Sequence, residues 1–183
     1  MEIRTQPQID MRNLFPGSQD LVTGMNPLAS VFLKARPGQF LRAIQQNKSP
    51  LVDVKSLQDY RKIATQGRLA IDDTGNAGYA VKPDGNLVSV FSNMGGKGLG
   101  REAVQDSLQH GATKLDAFES VPQLNSNLRK FYENFGFKVK DRLKFDPKYA
   151  PEGLPKGAKP DVVLMELVQE LLGGNSYKGF LGK

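Results

Sequence analysis

The sequence contains no cysteine and a single histidine, His110, among its 183 residues. Disulfide bonds, thiolate nucleophiles and cysteine metal sites are therefore excluded, and a zinc site would have to be built almost entirely from carboxylates. A Ser-His-Asp triad would have to use His110, but the residues around it do not resemble a nucleophile elbow. The absence of cysteine fits a reducing compartment, and we expect a cytoplasmic protein.

Long apolar runs are also missing, since no stretch approaches the roughly 18 residues that cross a bilayer. Residues 1–12 are polar and do not resemble a signal peptide, so we expect no membrane partner. Lysine and arginine together number 25 against 19 acidic residues, which gives a formal charge of +6. The basic residues cluster only mildly, and we interpret them as solvated surface rather than as a nucleic-acid interface.

The chain divides into three parts. Residues 1–26 are polar and are broken by Pro7 and Pro16, which predicts an extended arm suited to self-association or to a partner. Residues 27–172 carry helix and strand patterns in alternation and predict one mixed α/β domain. Residues 173–183 are rich in glycine and predict a flexible tail.

Helices are predicted from Pro27 to Ala35, around Phe40 to Ile44 after a break at Pro37-Gly38, and after a Ser56 cap. Further helices are predicted from about Arg101 to Gln109, from about Asn125 to Phe135, and briefly at Val168 to Leu172. Runs with strand character occur at Leu69–Ile71, Gly78–Val81, Leu87–Phe91, Thr113–Phe118, Phe137–Phe145 and Asp161–Leu167.

A glycine-rich loop, Gly95-Gly96-Lys97-Gly98-Leu99-Gly100, joins a predicted strand to a predicted helix. A helix start leaves backbone N–H groups unpaired and carries the positive end of the helix dipole. Glycines let the backbone approach an anion closely, and Lys97 and Arg101 add two cations. The loop therefore predicts a phosphate-binding site, although it lacks the Walker pattern of nucleotide triphosphatases.

One dinucleotide-binding interpretation of the same loop stays open. The six residues from Gly98 to Ala103 match G-x-G-x-x-A after a strand, and an acidic residue, Asp116 or Glu119, follows. Two hairpin-linked strands precede the loop, however, and the residues that follow do not repeat a βαβ pattern. A parallel sheet would be required by this interpretation.

A second motif lies between Asn125 and Phe137 and reads N-x6-Y-x3-G-F. With the glycine loop before it and the predicted strand Thr113–Phe118 between them, it resembles the GCN5-related N-acetyltransferase superfamily. That superfamily has a loop of the form Arg/Gln-x-x-Gly-x-Gly/Ala at the start of a helix. The resemblance covers about Leu69 to Leu167, and it departs from the pattern at Gly95, where the superfamily has Arg or Gln.

The resemblance implies a mixed, mostly antiparallel sheet flanked by helices. It also implies acetyl-CoA as cofactor and an acceptor amine on a small molecule or on a protein lysine or N-terminus. Tyr132 would protonate the departing CoA thiolate, and Asn125 would hydrogen-bond the cofactor. The pantetheine arm would pair with the backbone at Val90 and Phe91. The pyrophosphate would be held at Gly95, Gly96, Lys97, Gly98, Leu99, Gly100 and Arg101.

A general base is less evident, because the predicted strand before the glycine loop contains no carboxylate. Glu119, at the end of a predicted strand, is the best-placed candidate. Asp116, Asp72 and Asp73 are the alternatives, and a free amine can also lose its proton to water. A non-catalytic binding or assembly module with the same fold stays open as a second interpretation.

Overall fold

The computed structural model describes residues 31–95 and 97–168. Seven strands form one sheet in the order β1-β2-β3-β4-β5-β7-β6. The strands are β1 Phe32–Lys34, β2 Arg68–Asp72, β3 Ala77–Val81, β4 Asn86–Ser92, β5 Lys114–Phe118, β6 Phe137–Leu143 and β7 Val162–Leu167. The helices are α1 Pro37–Ile44, α2 Leu57–Gln66, α3 Leu99–Gln109 and α4 Leu128–Glu133. The predicted arm and tail lie outside the described residues, as does the predicted C-terminal helix after its first residue, Val168.

The predicted sheet is confirmed. All neighbouring strands pair antiparallel except β4 and β5, which are parallel. A dinucleotide-binding unit needs a parallel sheet, so that interpretation is wrong. The β3–β4 hairpin turns at Gly85, whose φ of 84° is favourable for glycine.

The helix predicted from Pro27 is wrong where the structure describes it, because Phe32–Lys34 is a strand. It pairs antiparallel with β2, with Phe32 opposite Asp72. Phe32 is buried with its ring 6.0 Å from that of Tyr79, whereas Leu33 is exposed. Lys34 is exposed as well, so burial does not alternate along this segment, and its pairing with β2 is what defines it as a strand.

The first two helices cover one face of the sheet. Pro37 does not break α1 but begins it, since a missing N–H costs nothing in a first helical turn. The predicted cap of α2 is confirmed, because the Ser56 hydroxyl accepts a hydrogen bond of 3.1 Å from the Asp59 amide. Buried side chains of both helices, Phe40 and Tyr60 among them, pack on the sheet beside Phe91.

The second core lies on the other face of the sheet, under α3 and α4. It includes Tyr79, Val104 and Phe137, together with Tyr132. Successive strand residues point to opposite faces, which is why Tyr79 and Ala80 belong to different cores.

Within the described residues, no helix is both long and apolar enough to span a membrane. The same residues contain no group of His, Asp and Glu side chains that could hold a metal ion.

Candidate active site between two diverging strands

The centre of the sheet opens where β4 and β5 diverge. These parallel strands pair only at Asn86 with Lys114 and Leu87 with Leu115. From Val88 to Ser92, β4 therefore keeps its β3 partner on one side, and no strand of the described residues pairs with it on the other. Unpaired backbone N–H and C=O groups at such an edge are available to an extended ligand.

A bulge distorts β4 at this opening. The register passes from Ala80 opposite Val88 to Gly78 opposite Phe91, so Ser89 and Val90 together face Tyr79. Ser89 has a φ of 55°, which is unusual for a residue with a side chain. Such strain costs about 1–2 kcal/mol and persists only where surrounding contacts hold it.

Those contacts come from the loop between α1 and α2. The Ser89 hydroxyl donates a 2.7 Å hydrogen bond to the Asp53 carbonyl oxygen. The Tyr60 hydroxyl lies 3.0 Å from Ser89 Oγ and accepts a 3.0 Å hydrogen bond from the Lys55 amide. Because the Ser89 proton is already used, Tyr60 donates to Ser89. This chain of hydrogen bonds fixes the loop over the diverging strands.

The glycine loop lies beyond the end of β4. The helix α3 begins at Leu99, two residues earlier than predicted, and Gly98 caps it with a φ of 73°. A Cβ added at Gly98 would meet no atom of a described residue within 4 Å, so these residues leave the space in front of this backbone open. The amides of the first helical turn have the chemistry that an anion requires, and binding of a phosphate there stays a prediction. Gly96 lies outside the described residues.

The two predicted cations differ in their surroundings. Lys97 is exposed, whereas the Arg101 guanidinium carbon lies 5.2 Å from the centre of the Phe135 ring. A cation over an aromatic face is attracted by the ring quadrupole. Contact of either side chain with a phosphate stays a prediction.

Three neighbouring cavities lie along the opening between β4 and β5. The helix cavity, about 220 Å³, is lined by Val90, Phe91, Ser92, Gly100, Phe131 and Tyr132, among others. The junction cavity, about 100 Å³, is lined by Ser89, Val90, Asp116, Leu128, Tyr132 and others. The loop cavity, about 710 Å³, includes Asp53, Asp116, Phe118, Tyr149 and Glu152 in its wall.

Shared walls connect these cavities in sequence. Val90 and Tyr132 line both the helix cavity and the junction cavity. Asp53 and Asp116 line both the junction cavity and the loop cavity, and Leu51 lines all three. A ligand at the β4 edge and a second ligand in the loop cavity would therefore meet at the junction.

Tyr132 is held at this meeting point. Its side chain is only 8% exposed, and its ring packs edge-on against Phe131 and Phe137 at 5.1 and 6.1 Å. Among the described residues its hydroxyl has no hydrogen-bond partner. Burial, and then the nearby negative charge of Asp116, raise the pKa of the phenol above its ordinary value, so the hydroxyl stays protonated at neutral pH.

Asn125 does not begin a helix, and this part of the prediction is wrong. Asn125 ends a 3-10 turn at Pro122–Leu124 and has a φ of 51°. A bridge between Val121 and Ser126 encloses that turn. The cap of α4 is Asn127, whose side chain accepts a 3.0 Å hydrogen bond from the Lys130 amide. Asn125 is exposed and is not among the residues that line the three cavities.

Two arginines surround Glu119. Arg142 donates hydrogen bonds of 3.2 and 3.1 Å to its two oxygens, and an Arg129 nitrogen lies 3.3 Å away. The Arg142 guanidinium holds the pKa of the Glu119 carboxyl below its usual value, which makes it a weaker base. Glu119 also does not line the three cavities, so the geometry counts against its predicted role.

Asp116 is better placed. It lines the junction and loop cavities, and among the described residues it makes no hydrogen bond or ion pair. Asp72, by contrast, is a structural residue, because its buried carboxylate accepts hydrogen bonds from the Asn76 and Ala77 amides at 2.8 and 2.9 Å.

Sequence reasoning missed the loop between α1 and α2, with Leu51 and Asp53, as part of the site. It also missed the bulge at Ser89. The loop reaches Ser89 through a hydrogen bond between residues 36 positions apart, which no local pattern in the sequence predicts. The only local signal is the serine itself, a polar residue within an apolar strand.

Comparison with solved structures agrees with this architecture, although no protein-family model and no curated protein matches the chain. A spermidine N-acetyltransferase chimera from Vibrio cholerae and hSSAT has a TM-score of 0.53 at 15% identity, over 78% of this chain and 97% of that one. An IAA acetyltransferase from Bacillus cereus has a TM-score of 0.49 at 20% identity, over 75% and 97% of the two chains.

A GCN5-related N-acetyltransferase from Kribbella flavida has a TM-score of 0.46 at 17% identity, over 76% of this chain and 98% of that one. At such low sequence identities the similarity concerns the fold alone. The comparison rests on the spermidine N-acetyltransferase chimera, which has the highest TM-score of the three structures, 0.53. A mostly antiparallel sheet with one parallel pair, flanked by helices, agrees with the mixed, mostly antiparallel sheet that the resemblance implied. The chain therefore has the fold of the GCN5-related N-acetyltransferases.

Proposed function

We propose that the protein is an acetyl-CoA-dependent N-acetyltransferase that acts on an amine of a small molecule or of a protein. One observation carries the proposal. Tyr132 is a buried tyrosine whose hydroxyl has no hydrogen-bond partner among the described residues. It lines the junction between the helix cavity beside β4 and a larger cavity whose wall contains Asp116. The cysteine-free sequence is compatible with a cytoplasmic location.

Acetyl-CoA would supply an activated thioester, and the residues around the helix cavity fit such a molecule. The unpaired edge of β4 at Val90 and Phe91 offers backbone groups to an extended, amide-containing chain. Phe91 is 1% exposed and its ring packs on Phe40, so its contribution to binding is its backbone. The amides at the start of α3 and the open space at Gly98 suit a pyrophosphate.

At the junction, Asp116 and Tyr132 would each carry out one of the two proton transfers. Asp116 would hold the incoming amine and accept its proton directly or through water, which frees the nitrogen lone pair for attack on the thioester carbon. The Tyr132 hydroxyl would donate to the sulfur as the carbon–sulfur bond breaks. Once Asp116 carries the proton, its negative charge no longer opposes ionisation of the phenol.

The amine acceptor is supported by the chemistry of the site. Its carboxylates attract an ammonium group, and the chimera with the same fold is a spermidine N-acetyltransferase. Thiol release from acetyl-CoA, measured with a panel of amines and combined with mass detection of the acetylated product, tests the proposed activity. Turnover dependent on amine supports it, whereas tight acetyl-CoA binding with no turnover across the panel favours a non-catalytic module.

A comparison of two carboxylate variants identifies the base. Asp116→Asn is expected to lower kcat/KM for the amine by about 10²-fold, because the proton acceptor at the junction is lost. Glu119→Gln should change it by less than about threefold, since exposed ion pairs contribute little energy. Steady-state kinetics on both variants, with urea unfolding as the control for stability, measures the difference. A larger loss in Glu119→Gln would assign the role to Glu119.

A further inference from the structure

The loop cavity differs in charge from the rest of the protein. The chain as a whole carries a formal charge of +6, yet the wall of this cavity contains Asp53, Asp116 and Glu152 and no lysine or arginine. A cavity of one sign of charge within a basic protein attracts ligands of the opposite sign. Two lysines lie beside this wall, Lys55 paired with Asp53 and Lys148 with its Nζ 5.4 Å from the centre of the Tyr149 ring, so the three carboxylates leave the wall with a net negative charge.

Two of the three carboxylates are available to a ligand. Asp53 is paired with Lys55, whose Nζ lies 2.7 Å from Oδ2. Among the described residues, Asp116 and Glu152 form no ion pair and no side-chain hydrogen bond. Asp116 lines the inner end of the cavity, where it meets the junction. Glu152 is exposed and does not line the junction cavity, so it lies nearer to solvent.

The surface between these carboxylates is apolar. It includes Val52, Val54, Phe118 and Tyr149, and the Tyr149 ring is 73% exposed. Such a wall buries a hydrocarbon chain but offers no partner for a polar group along it. At the inner end, Tyr132 lines the junction cavity with a side chain that is 8% exposed. Its hydroxyl has no hydrogen-bond partner among the described residues, which gives an independent indication of a ligand there.

We propose that the acceptor is a dication: a primary amine that carries a second ammonium group at the other end of an apolar chain. The reacting amine would lie at Asp116 beside Tyr132, and the second ammonium would pair with Glu152. The inference rests on the proposed function and adds the class of acceptor. A free aliphatic diamine and the N-terminal amine of a lysine-containing peptide both have this chemistry.

Binding measured without turnover tests the proposal. Calorimetric titrations of the whole protein, saturated with CoA, would use 1,4-diaminobutane and butylamine, and Ala-Lys-amide and Ala-Ala-amide. At least one dication is expected to bind about tenfold more tightly than its matched monocation, since hydrogen bonds to charged groups are worth more than neutral ones, with a discount for exposure. Whichever pair shows the difference identifies the source of the acceptor.

The variant Glu152→Gln is expected to remove this tenfold preference and to leave butylamine binding unchanged. Glu133→Gln is the matched control, because this exposed glutamate lines none of the three cavities and should keep the preference. Equal affinities for dication and monocation, or a preference that survives in Glu152→Gln, would overturn the proposal. Dication binding without thiol release would instead support it while contradicting the proposed acetyltransferase activity.

Discussion

Tyr132→Phe is expected to lower kcat by roughly 10²–10⁴-fold, the usual contribution of general acid catalysis. The KM for acetyl-CoA should be nearly unchanged, because the hydroxyl acts on charge that develops on sulfur only in the transition state. The ring and its contacts with Phe131 and Phe137 remain. No hydrogen bond to a described residue is lost, so the free energy of unfolding should change little. Thiol release and urea unfolding measure the two quantities.

Tyr79→Phe provides the matched control, since this tyrosine is buried on the same face of the sheet. Its hydroxyl donates to Asp106 and accepts a 3.1 Å hydrogen bond from Arg68. Tyr79 lines none of the three cavities of the site. Its variant should therefore lose about 1–3 kcal/mol of stability and keep its turnover. Equal turnover in Tyr132→Phe and the parent protein would remove Tyr132 from the mechanism.

The variant Gly98→Val is expected to abolish acetyl-CoA binding. The new side chain would occupy the open space in front of the first helical amides, where the pyrophosphate is proposed to bind. The variant also strains the backbone, because a φ of 73° is unfavourable for valine. That strain, about 1–2 kcal/mol, must be separated from the effect on binding.

Gly75→Val separates the two effects. Gly75 has a φ of 75°, and an added Cβ there would likewise meet no atom of a described residue within 4 Å, but it lies in the turn between β2 and β3. Both variants should lose similar stability in thermal unfolding, and only Gly98→Val should lose acetyl-CoA binding in calorimetry. Unchanged acetyl-CoA affinity in Gly98→Val would contradict the phosphate site.

Local sequence signals predicted the elements that depend on neighbouring residues. The Ser56 cap, the hairpin at Gly85 and the glycine loop before α3 all have residue types that their geometry requires. The first strand was mistaken for a helix because Phe32 and Ala35 are three residues apart, which is a helical spacing, whereas in the structure they belong to different cores. Only pairing with β2, which is distant in the sequence, decides between them.

The sequence predicted the parts of the site that a local motif contains. It did not predict the parts that form where residues from several helices and strands come together. Tyr132 and the loop ending in Gly100 were identified from the sequence, and the structure brings both to the helix cavity. Glu119 directly follows β5, as expected, but the arginines that pair with it come from α4 and β6. Asn125 was misplaced because the turn at Pro122–Leu124 shifts the helix start to Leu128.

Calorimetric titration of the parent protein with acetyl-CoA tests the central claim most directly. The unpaired edge of β4 and the amides at the start of α3 form the site on which every later step of the mechanism depends. We predict saturable binding with one molecule per chain, lost in Gly98→Val and retained in Gly75→Val. No heat of binding at hundreds of micromolar acetyl-CoA, from a protein that unfolds cooperatively, would contradict the claim.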